Sequence, residues 1–324
     1  MVPVTEQPVR YEVVDGVAWL TINRPETRNA RNKAVRDGRT GAGHITAPPD
    51  TAKAAVLQTI VADLAAETDS LVTILARLAT ADWDALTPAE GWTIRDQVTH
   101  LAFFDDATLL AVNDPAAFAA QRAELLALGA GFPDVVAARC RHLAGEQCLA
   151  WLSRSRAALL AAYRGVDPDT RLPWYGPDMG PASSATGRLM ETWAHAQDVA
   201  DTTGERREPT KRLRHVADLG VRTFAFCFRL RGRPVPAVPV RVELDAPGGE
   251  HWTWGAAAAE DRVTGTALDF CLVTTQRRNL ADTGLQVTGP AAAEWMTIAQ
   301  AFAGAPTDGR PPGLFAPQPT GGRS

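Results

Sequence analysis

The chain has 324 residues, with 45% hydrophobic and 22% charged residues and a formal net charge of -4. This length is sufficient for two domains, and the small net charge gives no electrostatic reason to expect nucleic acid or an anionic membrane as a partner. No run of about 18 apolar residues predicts a membrane span, and the four cysteines form no CxxC pair, so we expect free thiols and a cytoplasmic, reducing location.

The first 50 residues differ in character from the rest. Residues 11–23 contain two β-rich runs joined at Asp15-Gly16, which predicts a hairpin, and residues 27–50 are polar and aperiodic, which predicts a disordered linker. Residues 1–30 resemble the opening hairpin of the enoyl-CoA hydratase (crotonase) superfamily. None of the later glycine-rich loops that hold an oxyanion follows. We interpret this segment as a truncated or fused fragment without that activity, with an acyl-CoA enzyme remnant as an alternative.

Four long helical segments predict a four-helix bundle over residues 51–204. In the first, residues 52–80, the apolar side chains form a stripe, and Glu67 and Asp69 lie outside it. The members of that stripe are Val56, Ile60, Leu64, Leu71, Leu75 and Leu78. Thr93 is a candidate N-cap for the second helix. The remaining predicted helices cover residues 94–112, residues 135–164, and residues 183–203, the last ending before Gly204.

After Gly204 the pattern changes to a mixture of short strands and helices, which predicts a small α+β domain over residues 205–305. The predicted strands are residues 238–244, 251–254 and 285–287, and the predicted helices are residues 215–230, 268–277 and 291–303. Residues 306–324, the end of a Pro/Gly-rich run that begins at Gly304, predict a disordered tail. The predicted fold class is therefore α+β, a bundle followed by a small mixed domain.

A candidate metal site joins two of the predicted helices. Glu191 and His195 are four positions apart, so both project from one helix face. His100 lies among apolar neighbours on the second helix, and in a bundle both helices line the interior. Two imidazoles and one carboxylate would leave an open coordination position, as in catalytic zinc sites. Asp198 follows Glu191 by seven positions, and it either accepts a proton from the non-ligating nitrogen of a histidine or faces solvent.

These motifs, the run from Gly91 to Leu101 (GWTIRDQVTHL) and the Glu-xxx-His-xx-Asp of the fourth helix, resemble the DinB-like metal-binding bundle. The branch they resemble is the mycothiol-dependent maleylpyruvate isomerase family of actinobacteria, over residues 51–305. The resemblance implies a bundle followed by a small sterol-carrier-like α+β domain. It further implies a divalent metal, usually zinc, on His100, Glu191 and His195.

The resemblance also implies a chemistry, in which a metal ionises the thiol cofactor mycothiol and the thiolate adds to a small electrophilic substrate. This would be an isomerase or an S-transferase acting on small molecules. The family further uses the second domain, with Arg222, Arg277 and Arg278 as candidates here, to hold an anionic substrate. The sequence alone leaves a non-catalytic metal- or ligand-binding module open, and nickel and iron suit the same ligands.

The other histidines are weaker candidates for metal ligands. His142 reads as a surface or interhelix residue, His251 as part of a sheet surface, His215 as a solvated residue at a helix start and His44 as part of the linker. Four tryptophans are expected in the bundle core: Trp83, Trp92, Trp151 and Trp193.

Overall fold

The computed structural model describes residues 9–14, 17–22 and 49–315. The two N-terminal strands, β1 (Val9–Val14) and β2 (Val17–Ile22), pair antiparallel with Val14 opposite Val17, as expected for a hairpin. The turn at residues 15–16 and residues 27–48 of the predicted linker lie outside the described residues. The last two residues of that linker instead begin a helix.

Four helices form the predicted bundle. They are α1 (Pro49–Leu75), α2 (Ile94–Asn113), α5 (Gly145–Gly165) and α6 (Pro181–Thr203). Helix α2 packs on α5 and α6, and α1 packs on the same two helices. A 3₁₀ turn (Thr80–Asp84) follows α1 and buries Trp83. Among the described residues, no helix combines the length and the apolar character that a membrane crossing requires.

The segment between α2 and α5 departs from the prediction. Asn113-Asp114-Pro115 ends α2 but also starts α3 (Pro115–Leu126), because Asp114 Oδ1 accepts the Ala117 N–H at 3.0 Å and Pro115 suits the first helical turn. The prediction of a single helix over residues 135–164 is wrong. The segment is divided into α4 (Phe132–Cys140) and α5, and Gly145 at the start of α5 lies so close to Trp83 that a Cβ would be 2.4 Å from the indole ring.

The prediction of which side chains of α1 are buried is wrong at two positions. Glu67 is not outside the buried face but 1% exposed, and it accepts hydrogen bonds from Arg207 and Arg212 (2.7 Å to the latter). Val56 is 55% exposed, and Leu57 takes the inward position instead. A buried carboxylate is tolerated here because two guanidinium groups compensate its charge.

The second half is a mixed sheet with helices, as predicted, but it contains a strand that the sequence pattern did not indicate. The strand order is β4-β3-β5-β6, and β5 pairs parallel with β3 and antiparallel with β6. The strands are β3 (Val240–Asp245), β4 (His251–Trp254), β5 (Asp261–Thr266) and β6 (Gln286–Thr288). The helices are α7 (Leu213–Arg222), α8 (Phe224–Leu230), α9 (Ala267–Thr274) and α10 (Pro290–Ile298). The helix predicted over residues 215–230 is therefore two helices separated at Thr223.

One hydrophobic cluster runs through both halves and includes Leu64 of α1, Leu189 of α6 and Phe270 of α9. The proposed domain boundary near residue 204 therefore stays a prediction. The tail prediction is wrong at Arg310, which is 9% exposed and pairs with Asp198 of α6. Residues 316–324 lie outside the described part of the chain.

Candidate metal centre

The start of α2 places His100. Thr93 is the N-cap, as the sequence predicts. Its hydroxyl accepts the Asp96 backbone N–H at 3.3 Å, and the Asp96 carboxylate accepts the Thr93 N–H at 2.9 Å, which together form a capping box. Gln97 and His100 follow one turn apart on the same face of the helix. Gln97 is fully buried, whereas the His100 side chain keeps 12% exposure.

The structure brings the three predicted residues together. His100 Nε2 lies 3.4 Å and His195 Nε2 lies 3.1 Å from the same carboxylate oxygen, Glu191 Oε2. The two imidazole rings are 4.5 Å apart, centroid to centroid. Among the residues that the structure describes, these form the group of three whose ligand atoms all lie within 4.8 Å of one another. Their side chains are 12%, 25% and 10% exposed for His100, Glu191 and His195, so the group is recessed but reachable.

The protonation states of His100 and Glu191 suit cation binding. Burial, together with the neighbouring His195, lowers the pKa of His100 to about 4, so its ring is neutral near pH 7. Burial alone would raise the pKa of Glu191, but the hydrogen bonds and charges of the two histidines outweigh it and hold that pKa well below its ordinary value. Neutral imidazoles and an ionised carboxylate are the forms that bind a divalent metal.

The spacing of the donor atoms also fits a metal. For tetrahedral bonds of about 2.1 Å, the ligand atoms are separated by about 3.4 Å, and the two nitrogen-to-oxygen distances here are 3.1 and 3.4 Å. A nitrogen, nitrogen and oxygen donor set is typical of zinc and of other first-row divalent ions. Three protein ligands leave a fourth position for water or another ligand.

A hydrogen-bonded chain leads from the back of His195 to a loop. His195 Nδ1 contacts Gln97 Oε1, Gln97 Nε2 donates to Thr87 Oγ1 at 2.8 Å, and Thr87 Oγ1 donates to the Trp92 carbonyl at 2.8 Å. Sequence reasoning missed Gln97, although its position one turn before His100 was an available signal. His100 Nδ1, by contrast, is buried without a hydrogen-bond partner.

Asp198 does not have the role considered for it behind a histidine. It is fully buried and pairs with Arg277 at 2.8 Å and with Arg310. Arg278 pairs with Asp201 at 2.7 Å, and Arg222 is 71% exposed and pairs with Asp218 at 2.8 Å. The three arginines considered as substrate ligands are therefore all engaged in ion pairs.

Aromatic rings flank the two histidines. The Trp92 ring lies 5.2 Å from the His100 ring and 5.9 Å from the His195 ring, and the Phe104 ring lies 4.6 Å from the His100 ring, all centroid to centroid. Trp92 was expected in the bundle core. It is instead half-buried, and its indole N–H donates to Asp134 of α4 at 2.8 Å. Trp92 thus forms a wall of the candidate centre.

A buried ionic cluster, which the sequence analysis did not single out, joins α2 and α6 to α5. Asp105 accepts hydrogen bonds from Arg156 (2.6 Å) and Arg188 (3.0 Å), and Arg188 also donates to the Leu101 carbonyl. All three side chains are at most 4% exposed. Arg188 precedes Glu191 by one helical turn. Charged residues within apolar helical runs were the signal that could have identified this cluster.

The remaining histidines are placed apart from the candidate centre. His142 contacts the Arg139 carbonyl, His215 pairs with Asp63 at 2.8 Å, and His251 pairs with Asp245 at 3.2 Å. His44 lies outside the described residues. Trp83 and Trp193 are buried, as predicted, whereas Trp151 is half-buried and donates to Asp106.

Residues 64–200 match the family described as Mycothiol maleylpyruvate isomerase N-terminal domain, and residues 236–285 match the family described as Wyosine base formation. All three candidate ligands fall within the first match. The fold is similar to that described as "Crystal structure of the mycothiol-dependent maleylpyruvate isomerase", with a TM-score of 0.50, 16% sequence identity, and coverage of 73% of this chain and 95% of that chain.

Two proteins of Mycobacterium tuberculosis are more similar in sequence. They are "Uncharacterized protein Rv0036c" (strain ATCC 25618 / H37Rv) and "Uncharacterized protein MT0041" (strain CDC 1551 / Oshkosh). Each is 45% identical over 250 residues, which cover 77% of this chain and 97% of the relative.

Proposed function

Because this chain belongs to the mycothiol maleylpyruvate isomerase-like family, we propose that it is a divalent-metal enzyme that uses a thiol cosubstrate on a small electrophilic molecule. The metal ligands are His100, Glu191 and His195. The observation that carries the proposal is the convergence of two imidazole nitrogens on one carboxylate oxygen, at 3.4 and 3.1 Å. The family relationship supports mycothiol as the thiol.

The chain's own residues supply the framework for this chemistry. When bound, the cation would lower the pKa of a coordinated thiol and so favour the nucleophilic thiolate. His100 and His195 come from two different helices, so the bundle would hold a cation between α2 and α6. Trp92 and Phe104 limit access of water to the histidines. The sulfur would add to an electrophilic carbon in isomerisation, or displace a leaving group in transfer.

We do not assign an arginine to bind the substrate. Arg277 and Arg278 are each bound to a carboxylate of α6, and Arg222 is exposed on α7. A carboxylate substrate would have to displace one of these ion pairs. The proposed reaction class therefore rests on the metal ligands and the family, and it extends to electrophiles that carry no carboxylate.

The test is metal analysis joined to a thiol-consumption assay. His100→Ala, Glu191→Ala and His195→Ala should each lose stoichiometric zinc after purification without an affinity chelate. His251→Ala is the matched control, since His251 is exposed and pairs with Asp245 on the sheet. Full zinc content in His195→Ala would exclude the three-ligand centre.

Turnover is then measured with mycothiol and a panel of electrophiles, comparing zinc-loaded with metal-stripped protein. Metal-dependent consumption of the thiol supports an enzyme. Zinc binding without consumption of any electrophile would instead support a metal- or ligand-binding module.

A further inference from the structure

The two ring nitrogens of His195 have different partners, and this difference bears on which nitrogen can bind a metal. His195 presents Nε2 toward Glu191 and Nδ1 toward Gln97, so only one of its nitrogens points at the candidate metal. A neutral imidazole carries its single hydrogen on either nitrogen, and only the bare nitrogen can bind a metal. Whatever lies at Nδ1 therefore decides whether Nε2 is available.

The Gln97 amide has one orientation in this structure, and Thr87 determines it. Thr87 Oγ1 lies 2.8 Å from the Trp92 carbonyl oxygen, and two oxygens at that distance need a hydrogen between them. The carbonyl has none, so the hydroxyl donates there. Thr87 Oγ1 is then left as an acceptor toward Gln97, 2.8 Å away, and takes a hydrogen from the amide NH₂.

The amide oxygen of Gln97 consequently faces His195 Nδ1, where it can only accept. Gln97 is fully buried and Thr87 is 8% exposed, so no bulk water competes for these groups. An amide turned over would set its NH₂ against His195 and leave two oxygens in contact at Thr87. The chain of three hydrogen bonds therefore runs in one direction, from the imidazole to the loop.

We propose that Gln97 is a positioning residue which, held by Thr87, keeps the hydrogen of His195 on Nδ1 and commits Nε2 to the metal. This inference rests on the proposed metal centre. Gln97 touches neither the cation nor the substrate and acts through His195. The arrangement is asymmetric, because His100 Nδ1 has no such partner, and partners of this kind are worth about 10- to 100-fold in metal affinity.

Three substitutions separate this role from packing. Gln97→Leu keeps the size of the side chain and removes the acceptor, and it should raise the zinc dissociation constant about 10- to 100-fold. Gln97→Glu keeps an acceptor at Nδ1, and the Thr87 hydroxyl can turn to donate to its second oxygen, so this variant should bind zinc as tightly as the wild type or more tightly. Thr87→Val frees the amide to turn and should weaken zinc binding in the same direction as Gln97→Leu, but less.

The measurements are competitive zinc titration against a chromogenic chelator and ¹⁵N NMR of histidine-labelled protein, with the His195 signals assigned through His195→Ala. In zinc-loaded wild type, the Nδ1-bound hydrogen of His195 should exchange slowly with solvent. In Gln97→Leu and Thr87→Val it should exchange faster, which a purely structural role would not cause.

Two outcomes would overturn the proposal: wild-type zinc affinity in both Gln97→Leu and Thr87→Val, or equal losses in Gln97→Leu and Gln97→Glu. If Gln97→Leu does not fold, Thr87→Val and Gln97→Glu decide by the same measurements. Failure of the wild type to bind zinc would remove the proposed centre instead. The exchange rate of the Nδ1 hydrogen in metal-free wild type and Thr87→Val would then still report on Gln97.

Discussion

The indole ring of Trp92 is stacked on the imidazole ring of His195, with centroids 5.9 Å apart and an interplanar angle of 18°. The same indole is 5.2 Å from the His100 ring, and its N–H is held by Asp134. A cation bound between the two histidines would therefore lie close to one particular tryptophan of the nine in the chain.

We expect Trp92 to report metal binding by fluorescence. A paramagnetic ion such as Co²⁺ or Cu²⁺ should quench this residue selectively, whereas Zn²⁺ should change its emission by shielding the ring from water. Stepwise metal titration of the wild type and Trp92→Phe checks this. The metal-dependent change should disappear in Trp92→Phe, with Trp151→Phe as the control on another face of the bundle. A change that persists undiminished in Trp92→Phe would place the metal elsewhere.

Asp105 should be critical for stability although it lies outside the centre. It is the carboxylate shared by Arg156 and Arg188, both nearly inaccessible to water. Asp105→Asn leaves two buried guanidinium groups without a counter-charge, and we expect a loss of about 3–5 kcal/mol in the free energy of unfolding. The neighbouring Asp106 is exposed, so Asp106→Asn should lower the free energy of unfolding by about 0.5 kcal/mol. Urea unfolding of both variants measures the difference, and equal values would refute the buried pairing.

Asp96 should make stability depend on acid pH. Burial alone would raise the pKa of Asp96, but hydrogen bonds from Arg141 and Thr93 outweigh it and lower that pKa. A lowered folded-state pKa means that the contribution is present above the unfolded pKa of about 3.9 and is lost as pH falls through the folded value.

Thermal unfolding of the wild type and Asp96→Asn between pH 7 and pH 3 measures this contribution. At pH 7 the variant should be less stable by about 1–2 kcal/mol, because the capping box is lost. The difference should shrink below pH 4. A constant difference across the range would show that the Asp96 charge contributes nothing.

The four cysteines should differ in reactivity. Cys148, Cys227 and Cys271 are buried and Cys140 is half-buried, and burial raises the pKa of the Cys148 thiol to about 11. Iodoacetamide at pH 8 should therefore modify Cys140 first in native protein, and the other three only after denaturation. Intact-mass spectrometry counts the adducts, and Cys140→Ser should remain unmodified. Rapid modification of Cys148 in the native state would contradict the burial.

The bundle and the candidate metal ligands could be predicted because the information is local. The Thr93 cap sets where α2 begins, Gly204 ends α6 with φ 71°, and the spacing of Glu191 and His195 puts both on one face. Other features depend on tertiary partners. The polar sequence of β5 becomes a strand because β3 and β6 pair with it on both sides.

The environment of the centre was harder to predict for the same reason. The position of Gln97, one turn before His100, indicates which face of α2 it occupies but not that its amide contacts a residue 98 positions away. Asp198 lies on the helix face expected for a partner of histidine, yet Arg277 and Arg310 come from distant segments and take both of its oxygens. The spacing of residues on one helix is enough to identify candidate ligands. The hydrogen-bond partners of those residues come from distant segments and depend on the assembled fold.

Helix α6 belongs to two environments at once. It presents Glu191 and His195 to α2, while Leu189 and Trp193 join the cluster that extends to Phe270 and Trp295 in the second half. A protein fragment that ends near residue 204 would expose this apolar face of α6 to water. We therefore expect the first half to aggregate when expressed alone, and the two halves to reassemble when they are produced together as split fragments.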